Sequence, residues 1–170
     1  KARAEGMRDF GPCLSPQNAW NVLQGIETLS VRMEKHCSNA EKMVEYLLSH
    51  ESVAWVSHPS APNHPDYDLA KKILPKGRGS MIAFGIKGGK EAGTAFINNL
   101  KLASHLANVG DTRTLVIHPA SSTHSQMDEE TLKFAGLSQD MIRLSVGIED
   151  IDDIKNDFED GFRAAKKLRL

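Results

Sequence analysis

Arg143 lies in a segment whose residue pattern would hold its guanidinium on a rigid strand. Within residues 141–148 (MIRLSVGI), apolar residues occupy positions 142, 144, 146 and 148, and Arg143, Ser145 and Gly147 alternate with them. This period of two predicts a half-buried strand with Arg143 on the face opposite the apolar layer. A guanidinium there can bind a carboxylate through two parallel hydrogen bonds. From the pattern alone, a solvated surface arginine is the favoured alternative, because most arginine side chains are exposed.

The seven histidines raise the question of a metal site. His118 and His124 flank the run PASST, and His58 and His64 flank the run PSAPN. Neither pair has the i, i+4 spacing of helical zinc ligands or the cysteine partners of a zinc site. The spacing therefore favours turn and capping roles, and we predict no metal-binding residue. The sequence also lacks a G-x-S-x-G elbow and a P-loop, which argues against a self-contained hydrolase or nucleotide-binding enzyme.

Composition narrows the class of protein without identifying a reaction. The 170 residues are 40% hydrophobic and 25% charged, with a formal net charge of −1. One domain with one core is the default at this length, and the charge balance makes nucleic acid an unexpected partner. No apolar run is long enough to span a bilayer, and Cys13 and Cys37 are too few for a disulfide framework. We expect a cytoplasmic protein with no membrane partner.

The first third of the chain is predicted to be a long helix. Ser15 followed by Pro16 is a typical helix start, and apolar residues recur at three- and four-residue intervals from Val22 to Leu47. This pattern predicts one spine helix over residues 15–50, or two helices that meet near Ser38, where a capping box could form. Residues 1–14, which begin without an initiator Met or targeting character, are expected to be a connection from a missing upstream domain.

Residues 51–170 are predicted to form an α+β domain. Five segments have strand patterns and three have helical patterns. The strand candidates are 53–58, 80–86, 102–107, 114–117 and 141–148, and the helix candidates are 66–74, 90–100 and 150–168. Together they predict a small, largely antiparallel sheet with helices packed to one side.

Several stretches of this chain, in order and in spacing, resemble the C-terminal domain of the Cys/Met-metabolism family of pyridoxal-phosphate enzymes. They are GPCLSPQNA (11–19), LQGIETLSVRMEKH (23–36), LPKGRGS (74–80), NVGD (108–111), HPASSTHS (118–125) and RLSVGIED (143–150). The resemblance covers essentially the whole chain. It implies the fold of the C-terminal domain of fold-type I pyridoxal-phosphate-dependent transferases.

The resemblance also implies roles for four residues in substrate binding. In the family, the arginine of the R-L-S-V-G strand binds the α-carboxylate of the amino-acid substrate, a role that falls to Arg143 here. The turn before H-P-A lines the substrate site, which implicates Asn108 and Val109. Thr123 stands where the family places a hydroxyl near the site, and a turn-capping role for this threonine remains an equal alternative.

Two short sequence motifs favour one activity within the family. Lyases and cystathionine synthases usually have S-L-G where this chain has Asn108-Val109-Gly110, a form more usual in sulfhydrylases, and the Q-G-x-E-T-L run at 24–29 agrees. The implied reaction of the intact enzyme converts O-acetylhomoserine and sulfide to homocysteine and acetate, in a homo-oligomer of the tetramer type. A sister γ-lyase or γ-synthase, or a non-catalytic binding or assembly module, remains the alternative.

The expected cofactor attachment is missing from this sequence. The family binds pyridoxal phosphate through a lysine in a Ser/Thr-x-Thr-Lys setting, and no lysine here has that context. We therefore expect no catalytic and no cofactor-binding residue in this chain, no covalently bound pyridoxal phosphate, and no activity of the chain alone. A domain of this kind should expose an apolar partner surface, with Trp20, Leu23 and Leu47 as candidates.

Overall fold

The computed structural model describes residues 1–122 and 129–167. It forms two units, Lys1–Arg32 and Met33–Leu170, and the boundary between them falls within a helix. The first unit contains a π-helical segment, two helices and the start of a third. They are the π-helical segment Ala2–Met7, α1 (Arg8–Phe10), α2 (Pro16–Glu27) and α3 (Leu29–Ser49), the last of which continues into the second unit.

The predicted helix start at Ser15 is confirmed, and the helix is divided in two. The Ser15 hydroxyl accepts a hydrogen bond from the backbone N–H of Asn18 at 3.2 Å, as expected for an N-cap. The junction predicted near Ser38 is wrong, because Ser38 lies inside α3. The break lies at Thr28, with φ −101° and ψ 2°. The carbonyl of Thr28 accepts the N–H of Arg32 at 3.1 Å, so Thr28 begins the second helix.

Helix α2 has no buried residue, and its large apolar side chains are exposed. Trp20 is 57% exposed and Leu23 is 59% exposed, as predicted for both. The same prediction is wrong for Leu47, which is fully buried. Leu47 lies on the face of α3 that also carries Ala40, Met43 and Val44, and these four side chains belong to the core of the second unit.

The second unit contains a five-stranded sheet and four further α-helices. The strands are β1 (Val53–Ser57), β2 (Met81–Ile86), β3 (Ser104–His105), β4 (Leu115–Ile117) and β5 (Met141–Ser145). The helices are α4 (Tyr67–Ile73), α5 (Gly89–Asn98), α6 (Glu129–Phe134) and α7 (Ile151–Lys167), with a 3-10 turn at Pro119–Ser121. The strand order is β1-β2-β5-β4-β3. All neighbours pair antiparallel except β3 and β4, so the predicted largely antiparallel α+β fold is confirmed.

Strand β3 begins later than the predicted segment 102–107, because a side chain takes the backbone donors that precede it. The carboxylate of Asp157, on α7, accepts the N–H groups of Lys101, Leu102 and Ala103 at 2.7, 3.1 and 2.9 Å. These three donors are therefore not available for a ladder with β4. The contact fixes the chain just before β3 to the last helix.

The core lies on one face of the sheet, under helices α3, α5 and α7. Four phenylalanines form its centre, with every pair of ring centroids 4.7 to 6.3 Å apart: Phe84, Phe96, Phe158 and Phe162. Edge-to-face and tilted contacts of this kind stabilise a core beyond the area that they bury. Across residues 1–122 and 129–167, no helix combines the length and apolar character required to cross a bilayer.

Candidate functional site

Arg143 projects from the central strand of the sheet, on the face opposite the core. Its neighbours in the sequence, Ile142 and Leu144, are fully buried, so the predicted alternation of β5 is confirmed. In the register of the sheet, Arg143 lies between Ala83 of β2 and Ile117 of β4. Because β5 is hydrogen-bonded on both sides, the backbone that carries this guanidinium is held firmly.

A narrow pocket surrounds the Arg143 side chain. Its lining residues come from three strands and from the segment that follows β3: Met81, Leu106, Ala107, Asn108, Leu115, Ile117, Arg143 and Ser145. Most of the walls are apolar, and Arg143, Asn108 and Ser145 supply the polar side chains. The structure thus brings together Arg143 and Asn108, which the family resemblance assigns to one site.

The guanidinium of Arg143 has no protein partner within the described residues. It takes part in none of the hydrogen bonds or ion pairs formed among residues 1–122 and 129–167. Asp111, on the segment after Asn108, is instead paired with Arg113 at 3.1 Å, and the hydrogen bond from Arg113 lowers the pKa of the Asp111 carboxyl below its ordinary value. Among the described residues, no protein group therefore neutralises the positive charge of Arg143.

The chain directly after β5 is fixed by side chains from α3 and by Thr114. Asn39 donates to the carbonyls of Gly147 and Glu149 at 3.0 and 2.9 Å, and His36 Nδ1 lies 2.7 Å from the carbonyl of Val146. The N–H of Gly147 donates to the Thr114 hydroxyl at 3.0 Å. A Cβ at Gly147 would lie 2.5 Å from the backbone of Thr114, so glycine is required here. These contacts end β5 at Ser145, earlier than predicted, and they position the strand that carries Arg143.

Two of the predicted substrate-binding residues lie elsewhere or outside the described chain. Val109 is 62% exposed and is not among the described residues that line the pocket. The side-chain oxygen of Asn108 accepts the N–H of Val109 at 2.8 Å, which orients the Asn108 side chain. Thr123 falls outside the described residues, so its predicted role is not tested.

Sequence reasoning did not assign Ser145 to the site. The signal was present, because Ser145 lies two residues from Arg143 and therefore shares its face of the strand. What could not be read from the pattern is the depth of the residue. Leu115 of β4 and Met81 of β2 pair with Ser145 on either side, and with them in place Ser145 is only 2% exposed.

Comparison with known proteins identifies the family. The family model described as Cys/Met metabolism PLP-dependent enzyme matches residues 1–163. The chain belongs to this family. An O-acetyl-L-homoserine sulfhydrylase from Thermus thermophilus is 51% identical over 160 residues, and one from Corynebacterium glutamicum is 51% identical over 164 residues. These alignments cover 94% and 96% of this chain but only 38% of each relative.

Solved structures of PLP-dependent Cys/Met-metabolism enzymes share the fold. A Campylobacter jejuni protein described as an O-acetylhomoserine (thiol)-lyase, which carries a pyridoxyl-lysine monophosphate, has a TM-score of 0.87 and 39% identity over 95% of this chain and 38% of its own. Cystathionine gamma synthase from Xanthomonas oryzae, in complex with cystathionine, has a TM-score of 0.83 and 35% identity, over 93% of this chain and 41% of its own. This chain therefore spans about two fifths of the length of the proteins that it matches.

The pocket around Arg143 lacks the group that joins the cofactor to enzymes of the PLP-dependent Cys/Met-metabolism family. No lysine is among the described residues that line it, so it offers no amine to which pyridoxal phosphate could be joined. Its polar groups are a guanidinium, an amide and a hydroxyl, which suit a carboxylate. The residues present therefore do not fit the cofactor itself, while their guanidinium and hydroxyl are groups that bind carboxylates.

His118 and His58 are buried, and both make contacts within turns. His118 Nε2 lies 2.8 Å from the carbonyl of Gln139, to which it donates, and its Nδ1 lies 2.9 Å from the Ser121 hydroxyl. His58 Nδ1 lies 2.7 Å from the Ser60 hydroxyl. Within the described residues, no group of three or more His, Cys, Asp or Glu side chains is arranged to hold a metal ion. His124 lies outside those residues.

We expect His118 to make the chain less stable in mild acid. Burial lowers the pKa of His118 below its ordinary value, so the folded state keeps the ring neutral at a pH where the unfolded chain binds a proton. The unfolded state then holds more protons, and the free energy of unfolding falls as the pH drops below about 6.5. Urea unfolding between pH 7 and pH 5 should show this loss. The variant H118Q should reduce the slope, and an unchanged slope would rule out His118 as its source.

Proposed function

We propose that this chain is the substrate-carboxylate-binding, C-terminal part of an O-acetylhomoserine sulfhydrylase-like enzyme. The whole enzyme would convert O-acetylhomoserine and sulfide to homocysteine and acetate. The observation that carries the proposal is Arg143, whose guanidinium has no partner among the described residues and which lines a narrow pocket together with Asn108. The sulfhydrylases that are 51% identical to this chain support the choice of substrate.

Arg143 would bind the α-carboxylate of the substrate through both arms of its guanidinium. Such charge-assisted, paired hydrogen bonds fix orientation as well as affinity. The apolar walls supplied by Met81, Leu106 and Leu115 exclude water, which strengthens the interaction of the two charges. The contribution of this chain is thus positioning, and we assign no bond-making step to any of its residues.

The organisation proposed for the enzyme follows the family resemblance. Residues 1–14 would connect to a larger cofactor-binding domain, residues 15–50 would form the spine, and residues 51–170 would form the C-terminal domain. The 38% share of each sulfhydrylase that this chain covers supports a longer enzyme. We propose that it acts in the cytoplasm as a homotetramer, as the resemblance implies.

The alternative is a sister reaction of the family. The likeness to cystathionine gamma synthase, with a TM-score of 0.83, is the observation that favours it. Asn108, in place of the serine usual in synthases and lyases, favours the sulfhydrylase. A stand-alone binding or assembly module is a third possibility, for which neither activity would be found.

A substrate panel on the full-length enzyme tests the proposal. We expect O-acetylhomoserine with sulfide to give homocysteine with the highest kcat/KM in the panel. The competing assays replace sulfide with cysteine, replace the acetyl group with succinyl, or supply cystathionine alone. Faster formation of cystathionine would assign the γ-synthase reaction, and faster breakdown of cystathionine would assign a γ-lyase. If no assay shows turnover, the alternative of a non-catalytic binding or assembly module is favoured.

A further inference from the structure

Ser145 is a buried hydroxyl without a partner. Its side chain is 2% exposed, and among the described residues its Oγ forms no hydrogen bond. Leaving a buried polar group unpaired costs about 1–3 kcal/mol, and native proteins pair the large majority of such groups. A serine in this position therefore requires an explanation, since alanine could occupy it without that cost.

The position of Ser145 in the pocket explains why a serine is present. It lies two residues from Arg143 on the same face of β5, a separation of about 7 Å along the strand. The residues that pair with it, Met81 and Leu115, offer no polar side chain. A carboxylate that contacts both the Arg143 guanidinium and the Ser145 hydroxyl would bridge this separation. Since a carboxylate has about four acceptor sites, a paired contact with Arg143 leaves sites for a hydroxyl.

The segment that covers Ser145 is weakly tied to the sheet. Leu106, Ala107 and Asn108 line the outer side of the pocket. In the part of the chain that the structure describes, no backbone-to-backbone hydrogen bond involves residues 107–111. The bonds on either side begin at Leu106, which donates to Ser104, and at Thr112, which accepts from Ile148. The covering segment can therefore shift without breaking a strand ladder.

We propose that Ser145 is a second carboxylate-binding residue, whose hydroxyl donates to the substrate carboxylate held by Arg143. The contact forms when residues 107–111 move aside to admit the ligand. Ser145 then gains the partner that it lacks in the free chain, and the carboxylate gains a third donor. This inference rests on the proposed function, because it assumes that the ligand of Arg143 is a carboxylate.

The chain offers a matched control for a serine-to-alanine test. The Oγ of Ser138 is also buried and without a partner among the described residues, but Ser138 does not line the pocket as those residues form it. The variants S145A and S138A each delete one unpaired hydroxyl. Both should leave the free energy of unfolding unchanged or raise it, since an unsatisfied group is removed.

The binding measurement uses two probes that differ only in the group that Ser145 would contact. Isothermal titration of the full-length enzyme compares L-2-aminobutyrate with its primary amide. A hydrogen bond to a charged group supports an effect of about tenfold or more in affinity. We expect S145A to weaken binding of the acid by about this factor and binding of the amide by clearly less, because the amide oxygen accepts only a neutral hydrogen bond from Ser145, while S138A changes neither.

The outcomes separate this inference from the proposed function. If R143A loses affinity for the acid and S145A does not, the role of Ser145 is wrong and the role of Arg143 stands. If R143A keeps its affinity for the acid, the proposed carboxylate site is wrong, and the proposed role of Ser145 is wrong as well. An equal loss for acid and amide in S145A would indicate a structural role only. The near-isosteric S145C serves if S145A does not fold, with an intermediate loss expected from its weaker donor.

Discussion

Replacing Arg143 with alanine in the full-length enzyme should lower kcat/KM for O-acetylhomoserine by about 100-fold or more. Removing one partner of a buried, hydrogen-bonded charge pair costs about 2–5 kcal/mol, and Arg143 is the cation of the proposed carboxylate pocket. The loss should appear mainly as a higher KM, because the carboxylate is bound in both the ground state and the transition state. A fall in kcat would report misplacement of the substrate.

The conservative variant and a surface control sharpen this test. R143K keeps the charge but replaces the planar fork by a single ammonium, so we expect an intermediate loss. R163A removes an exposed arginine on α7 whose partner is Asp160, and it should leave kcat/KM unchanged. Cofactor content, measured by absorbance, should match the wild type in all three variants. Wild-type kinetics in R143A, or loss of cofactor from it, would contradict the assignment of Arg143 to the substrate carboxylate.

Replacing Asp157 with alanine should lower the free energy of unfolding by about 3 kcal/mol or more. Asp157 is 8% exposed, and its carboxylate accepts three consecutive backbone N–H groups, those of Lys101, Leu102 and Ala103. Alanine would leave these donors without an acceptor, at about 1–3 kcal/mol for each one that water does not reach. The chain that leads into β3, and from there to the pocket, would lose its attachment to α7.

Asp160, one turn later on the same helix, is the matched control. Its carboxylate is 47% exposed and paired with Arg163 at 2.8 Å, and exposed ion pairs of this kind contribute about 0–1 kcal/mol. Urea unfolding of D157A and D160A, followed by circular dichroism, should therefore separate the two by about 2 kcal/mol or more. Equal losses would mean that water or a backbone rearrangement replaces the Asp157 carboxylate.

Much of the site could be predicted because its key element is local. The period of two around Arg143 depends on neighbouring residues alone, and it correctly placed the guanidinium opposite the core. The depth of Ser145 depends on which strands flank β5, and the pattern of one strand cannot give its neighbours. The same distinction explains the apolar candidates on α2 and α3. Trp20 was correctly predicted to be exposed, while Leu47 is buried by partners distant in the sequence.

The boundaries were less predictable where a distant side chain takes backbone groups away from a ladder. Strand β3 was expected over 102–107, and the residue that delays its start, Asp157, lies 54 residues beyond Ala103. One of the two predicted alternatives placed a helix junction near Ser38, where the sequence matches a capping box, but a capping box forms only where a helix begins. Since α3 already begins after Thr28, Ser38 has no free N–H groups to cap.

The strand order has a consequence for the way the chain is made. Strands β2 and β4, between which β5 inserts, leave the ribosome before it, and the carbonyls of Val146 and Gly147 bond to His36 and Asn39, more than 100 residues earlier. Contacts this distant in sequence form slowly, and unpaired strand edges are prone to aggregate in the meantime. The strand that carries Arg143 is thus the last to close the sheet. If translation stalled before residue 141, the sheet would keep unpaired strand edges and the chain would lack Arg143. Such a molecule would be a substrate for chaperones.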